Sequence, residues 1–423
     1  MYQWMKDLFP ICRSITGNGV RETLQYIKNL IPDLTIYEIP SGTKAFDWTV
    51  PDEWNISDAF VIDENGRKII DFKNHNLCVV GYSEPVDTIM KFAQLDQHLH
   101  SLPDQPNAIP YVTSYYKRYW GFCVTEKQRQ VLRQYPNKKF HVKIDATLKS
   151  GHLSYGELII PGKIDKEILL SSYICHPSMA NNELSGPVVT TALAQWVLKN
   201  NDRRFTYRIV FVPETIGAVV YLSRYWEEMK KKTIAGFVLN CLGDEGDYSY
   251  IASRLENTLS DRILLHTLKF KTDKFKTYSF LERGSDERQY CSPGIDLPIC
   301  TLCRSKPGEF KEYHTSLDDL EFVSPKGLYD SYRVVRECLK LMEENCNYRI
   351  KVLCEPQLGK RDLYPNLSIK EGGGQNIKNM MNFIAYADGN HDLIEIAEKI
   401  NVYAGELLPI AARLLQVDLL EKS

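Results

Sequence analysis

Four stretches of this 423-residue chain carry side chains suited to hydrolytic or metal chemistry. They are His176 in ICHPSMANNELSG, Glu214 in VFVPETIG, Asn240 to Asp244 in VLNCLGDEG, and His314 in EYHTSLDD. A fifth, ERGSDERQY at 282–290, is dense in charge. Two imidazoles plus a carboxylate are the usual ligands of a catalytic zinc with an open position. A further glutamate beside such a metal can act as general base. Each residue also has an ordinary structural use. A lone histidine fills a core or caps a helix, Glu214 suits the positive end of a helix starting near Ile216, and SDER suits a surface ion-pair cluster. Their joint arrival at predicted strand ends favours a site. His75, His98, His100, His141, His152, His266 and His391 have no such context.

Alternating strands and helices must position these residues. GELIIPG, EILLSSYIC, TYRIVFVPE, IAGFVLNCLG and LPICTLC read as strands. The intervening segments PVVTTALAQWVLKN (opening with Pro187 near its first turn), GAVVYLSRYWEEMKKK, ENTLSDRILLHTLKF and SPKGLYDSYRVVRECLKLMEEN read as helices. Apolar strands alternating with helices predict a largely parallel or mixed α/β sheet. In such sheets ligands collect at the carboxyl ends of strands. Residues 1–36 predict helices, and with 136–350 they form the expected core. Residues 37–135 read as an inserted β-rich subdomain, with Glu64-Asn65-Gly66 a hairpin turn. The Gly-Gly-Gly at 372–374 breaks the chain, and the helical spacing within 360–423 predicts a winged helix-turn-helix.

A formal charge of −2 gives no general attraction to nucleic acid or anionic membranes. Over 365–423, five Lys/Arg against eight Asp/Glu leave −3, which opposes DNA binding by the tail. The N-terminus lacks the pattern of a signal peptide, and no apolar run is long enough for a membrane span. Eleven scattered cysteines fit buried thiols in a reducing, cytoplasmic setting. Cys300 and Cys303 share redox spacing but lie within a predicted strand, which favours core packing.

The motifs CHP-x4-NNELSG, FVPETIG, GSDERQY and EYHTSLDD, with SGTKAFDWTVPDEWNI and IPYVTSYYKRYWGFC, carry a resemblance. The chain resembles the bacterial family with an aminopeptidase-like domain (DUF4910/DUF2172, associated with polysaccharide biosynthesis), related to the M28 zinc aminopeptidases and bearing a C-terminal winged helix. The resemblance covers nearly the whole chain. It implies a three-layer α/β/α zinc-exopeptidase-like core. His176 takes the place of the first zinc histidine, His314 that of the last, and Glu214 that of the general base. It also places Asn182, Thr215 and Asn240 where M28 peptidases carry carboxylate ligands. Two closely spaced zinc ions need anionic bridging to offset their repulsion, so one ion is expected.

The expected ligands are His176, His314 and a carboxylate. Glu183 is nearest in sequence, and Glu214, Asp244, Asp286 and Glu287 are alternatives. Glu214 is the expected base unless it is itself a ligand. Arg283 and Arg288 suit an anionic substrate group, Asp286 an ammonium group, and Tyr313 joins this substrate-binding set. The expected activity is hydrolysis of an amide bond in a small peptide or an amide-bearing sugar, in a soluble protein that can form a homo-oligomer. The alternatives are a degenerate peptidase fold that binds a ligand or partner, and a regulator acting through the tail.

Overall fold

The computed structural model describes residues 1–363 and 373–423. The triglycine at 372–374 therefore falls partly outside the described residues. The chain forms two units, residues 1–260 with 276–332, and residues 261–275 with 333–423.

In chain order the first unit contains helix α1 (Asn18–Leu30) and strands β1 (Thr35–Pro40), β2 (Glu53–Asp63), β3 (Lys68–Asp71), β4 (Val86–Lys91), β5 (Lys139–Lys149), β6 (His152–Ile160) and β7 (Ile164–Tyr173). Helix α2 (Ser185–Lys199), β8 (Phe205–Val212), α3 (Ile216–Lys232), β9 (Thr233–Leu239), β10 (Tyr248–Ile251), β11 (Phe275–Tyr278) and β12 (Ile299–Cys303) follow. The central sheet has eight strands in the order β1-β6-β8-β7-β9-β12-β10-β11. Strands β8, β7, β9 and β12 run parallel, whereas β1, β6 and β10 join antiparallel. This is a mixed α/β sheet, with α2 and α3 packed on it.

Strand β8 is buried along its whole length, so Arg208 within it needs partners. Its Nε and Nη2 grip both oxygens of Glu167 on β7 at 2.7 and 2.9 Å, and Nη1 reaches Glu157 on β6 at 2.9 Å. A one-residue slip of any of these strands would strand a buried charge, so the cluster fixes their register.

A separate four-stranded antiparallel sheet, β3-β2-β5-β4, is built from the β-rich segment. It takes in β5, which runs to Lys149, while β1 of the same sequence region joins the central sheet. The hairpin expected at Glu64–Gly66 joins β2 to β3, with Gly66 at φ 77°. Helix α2 starts at Ser185, before Pro187, and is preceded by a π-helical turn over Ala180–Leu184. Such turns concentrate at functional sites. Cys300 and Cys303 are both buried in β12 and neither is in a disulfide.

The second unit contains helices over Gly373–Tyr386, Leu393–Ile400 and Ala404–Gln416, and a three-stranded antiparallel sheet from Asn347–Ile350, Asp388–Asp392 and Leu420–Lys422. The helices match expectation. The short polar strands left no alternating pattern in the sequence. Among the described residues no helix is long and apolar enough to cross a membrane.

Candidate functional site

Parallel β7, β8 and β9 end on one rim, and the residues just past their ends are Cys175–His176, Glu214 and Asn240. The Glu214 N–H donates to Cys175 Sγ at 3.2 Å, which ties the first two ends together. His314 arrives from a loop after β12, held by Tyr111 N–H donating to its carbonyl at 2.8 Å. A cavity of ≈ 320 Å³ opens here, lined among others by Trp48, Tyr111, Tyr115, His176, Glu214 and His314. Glu214 is the only carboxylate among its lining residues.

His176 is 4% exposed, and its ring is fixed from behind. Nδ1 pairs with Glu183 Oε2 at 2.9 Å, and Glu183 Oε1 lies 3.3 Å from Arg13 Nε. Arg13 also donates to the carbonyls of His176 at 2.8 Å and Leu8 at 2.7 Å. The side chains of Arg13 and Glu183 are wholly buried. A carboxylate on one imidazole nitrogen fixes the tautomer and leaves the other nitrogen free to act. That nitrogen, Nε2, lies 3.7 Å from Glu214 Oε2. Burial works to lower the His176 pKa, but the hydrogen bond and charge of Glu183 outweigh it and raise the value.

The His314 ring lies 5.4 Å from that of His176, centroid to centroid, and stacks on Tyr313 at 3.9 Å. Its Nε2 is buried without a hydrogen-bond partner. Burial first, and the neighbouring His176 second, push its pKa down to about 3, so the ring is neutral. Burial likewise raises the Glu214 pKa, against the opposing effects of His176, Arg288 and a 3.0 Å hydrogen bond from Ser285 Oγ to Oε1.

Two imidazoles bound to one zinc at ordinary Zn–N distances and a near-tetrahedral angle put their centroids about 5 Å apart. The observed spacing and the orphaned His314 Nε2 are compatible with a bound metal ion. Asn182 is a buried amide whose Nδ2 donates to Tyr173 Oη at 2.9 Å and whose Oδ1 has no partner. Asn240 lines a different recess. Cys175, His176 and Glu183 each bring a potential ligand atom within 4.8 Å of the others. However, burial pushes the Cys175 thiol well above its ordinary range, and Glu183 is already engaged by Arg13 and His176.

The other expected residues do different work. Asp286 and Arg288, expected at the substrate, are engaged with Thr215. Asp286 Oδ1 accepts the Thr215 N–H at 2.7 Å, and Arg288 Nη2 donates to Thr215 Oγ1 at 2.9 Å. Thr215 sits at φ 64°, a costly conformation for a β-branched residue. These two side chains hold the turn that presents Glu214. Burial and the charge of Glu214 raise the Asp286 pKa well above the carboxylate range. Glu287 is buried, accepting the N–H groups of Gly284 and Ser285 and the Thr301 hydroxyl. Asp244 accepts from Asn181 Nδ2 at 2.8 Å, and Arg283 is exposed at the recess. Neither lines the main cavity.

Arg13, Ser285 and Asp318 were not singled out from the sequence, although Ser285 lies in GSDERQY and Asp318 in EYHTSLDD. Asp318 accepts the N–H groups of Asn181 and Asn182 at 2.6 and 2.9 Å and so anchors the π-helical turn. Burial, against those bonds, raises its pKa to about 7. Tyr111 and Tyr115 lay in a quoted motif, but nothing local assigned them to the cavity.

Residues 2–345 match the model of a family described as a domain of unknown function, DUF4910, and residues 346–422 match a winged helix-turn-helix. A Clostridium acetobutylicum protein is 42% identical, over 100% of this chain and 96% of its own length. Its name assigns it provisionally to polysaccharide biosynthesis, with an aminopeptidase-like domain. A crystal structure from the same organism, described provisionally as a peptidase, superposes with TM-score 0.93 at 41% identity, covering 100% of this chain and 96% of that one. A zinc aminopeptidase from Bacillus subtilis superposes with TM-score 0.59 at 13% identity, covering 81% of this chain and 93% of that one, a likeness of fold.

Proposed function

The chain belongs to the family described as a domain of unknown function, DUF4910, and from that premise we propose that it is a metal-dependent hydrolase of the aminopeptidase-like type that cleaves an amide C–N bond. The observation that carries this is two buried imidazoles converging on one cavity, one with its Nδ1 fixed by Glu183 and the other with an orphaned Nε2.

His176 and His314 would hold one zinc ion, with His176 Nε2 and His314 Nε2 the nitrogens left for it. When bound, the ion supplies Lewis-acid polarisation and a water of lowered pKa. Glu183, braced by Arg13, acts as a positioning residue for His176. Glu214 is the general base. Ser285 holds its Oε1, Oε2 faces His176, and a pKa raised by burial suits a group that must accept a proton and return it to the leaving nitrogen. Trp48, Tyr111 and Tyr115 supply an aromatic wall for a small peptide or an amide-bearing sugar, the latter in keeping with the name of the Clostridium relative. Eleven cysteines outside any disulfide accord with a cytoplasmic setting. A second reading, a degenerate fold that binds without catalysis, is favoured by the neutral amides of Asn182 and Asn240, which leave few anionic ligands.

The test is metal content and amide hydrolysis on protein purified without added zinc. Wild type takes up one zinc and gains thermal stability, His176→Ala takes up none, and Glu214→Gln keeps the zinc while losing about 10²–10⁴ in rate. Near-zero zinc uptake without stabilisation would exclude the metal reading. Full activity in Glu214→Gln would exclude Glu214 as the base.

A further inference from the structure

A second recess of ≈ 210 Å³ lies beside the cavity, lined by Asn240, Arg283, Gly284, Ser285, Thr301 and Lys306 among others. At its floor Asn240 is 0% exposed, yet neither its Oδ1 nor its Nδ2 has a hydrogen-bond partner. A buried amide left wholly unpaired is rare in folded proteins. It faces a space with room for about seven waters, or for one three-carbon polar molecule.

The walls are polar and biased to positive charge. Lys306, 13% exposed in its side chain, lies 3.5 Å from Glu282 and 3.6 Å from Glu309, contacts longer than hydrogen bonds. Arg283 rests over the Phe280 ring at 5.0 Å and donates only Nη1, to the Phe280 carbonyl at 3.3 Å. Glu282 is the one carboxylate among the lining residues, against these two cations. Glu287 accepts from Gly284, Ser285 and Thr301 and is not among the residues that line the recess.

We propose that this recess binds a compact oxoanion that carries a neighbouring hydroxyl, such as a phosphate ester or hydroxycarboxylate group. Arg283 and Lys306 take the anionic oxygens, and the Asn240 amide donates to one oxygen while accepting from the hydroxyl. Ser285 lines the recess and donates to Glu214, so the occupant sits one residue from the proposed base. The assignment does not depend on the metal reading.

Calorimetric titration of the full chain at low ionic strength uses three probes, glycerol 3-phosphate, inorganic phosphate and glycerol. Glycerol 3-phosphate is expected to bind saturably at one site, inorganic phosphate more weakly, and glycerol not at all. Lys306→Met and Arg283→Met, on the outer wall, each weaken glycerol 3-phosphate about tenfold, and Asn240→Leu does the same where it folds. No saturable binding, equal binding of glycerol, or wild-type affinity in folded Lys306→Met and Arg283→Met would overturn the proposal. Inorganic phosphate binding as tightly as the ester would overturn the role of Asn240. Zinc uptake is measured on the same samples, so a protein that takes up zinc but no phosphate ester refutes the recess alone.

Discussion

Arg13→Met is the sharpest test of how this site is held. Arg13 is 1% exposed, and its guanidinium pairs with the buried Glu183 and donates to the carbonyls of His176 and Leu8. Methionine keeps most of the volume, so the loss is electrostatic. Glu183 keeps only His176 as a partner, and both carbonyls lose this donor. Breaking one side of a buried pair costs about 3–5 kcal/mol. The His176 imidazolium, favoured next to Glu183, offsets part of this, so about 3 kcal/mol is expected. All six tryptophans lie within residues 1–260, so urea denaturation followed by their fluorescence reports on the first unit. Glu183→Gln alone should cost less than Arg13→Met, and the double variant should cost less than the sum, because each deletion removes the other's unpaired charge. Glu183→Gln should also weaken zinc about 10–100-fold through loss of His176 orientation. A cost below about 1 kcal/mol for Arg13→Met, or strict additivity in the double variant, would refute this account.

Two further outcomes follow from the same geometry. His314 has a folded pKa of about 3 against an ordinary value near 6.5, so between those pH values the unfolded chain binds a proton that the folded chain does not. Its stabilising contribution is therefore present above about pH 6.5 and lost as pH falls toward 3. Metal-free wild type should lose up to about 1.4 kcal/mol per pH unit more than His314→Gln across that range, and parallel denaturation curves would contradict it. Asn182→Asp puts a carboxylate against the Tyr173 oxygen, which already donates to the Asn182 carbonyl, so without metal it should cost about 1–3 kcal/mol. A neutral effect in thermal denaturation would show that the amide is not held as described.

The α/β core was legible because strands buried on both faces are mostly apolar, and β8 is so apart from Thr206 and Arg208. His176, Glu214 and His314 were legible because parallel strands deliver their carboxyl ends to one rim. Glu183 was expected as a metal ligand and Asp286 and Arg288 at the substrate, but the chemistry of a side chain does not say which neighbour will claim it. Glu183 is claimed by Arg13, from a distant N-terminal loop, and Asp286 and Arg288 by a threonine in a strained turn. The strands of the second unit were missed because they are only three to five residues long, too short to show an alternating pattern.

The sequence by itself determined the layers of the fold, the rim where the chemistry gathers, and the absence of carboxylates at Asn182 and Asn240. Those are properties of local pattern and residue type. Tertiary structure alone decided which nitrogen of His176 is free, that His314 is neutral and lacks a hydrogen-bond partner at Nε2, and that Asn240 faces its own recess. The reason is physical. Hydrogen-bond partnership and burial are set by residues far away along the chain, and those two quantities fix protonation and reactivity.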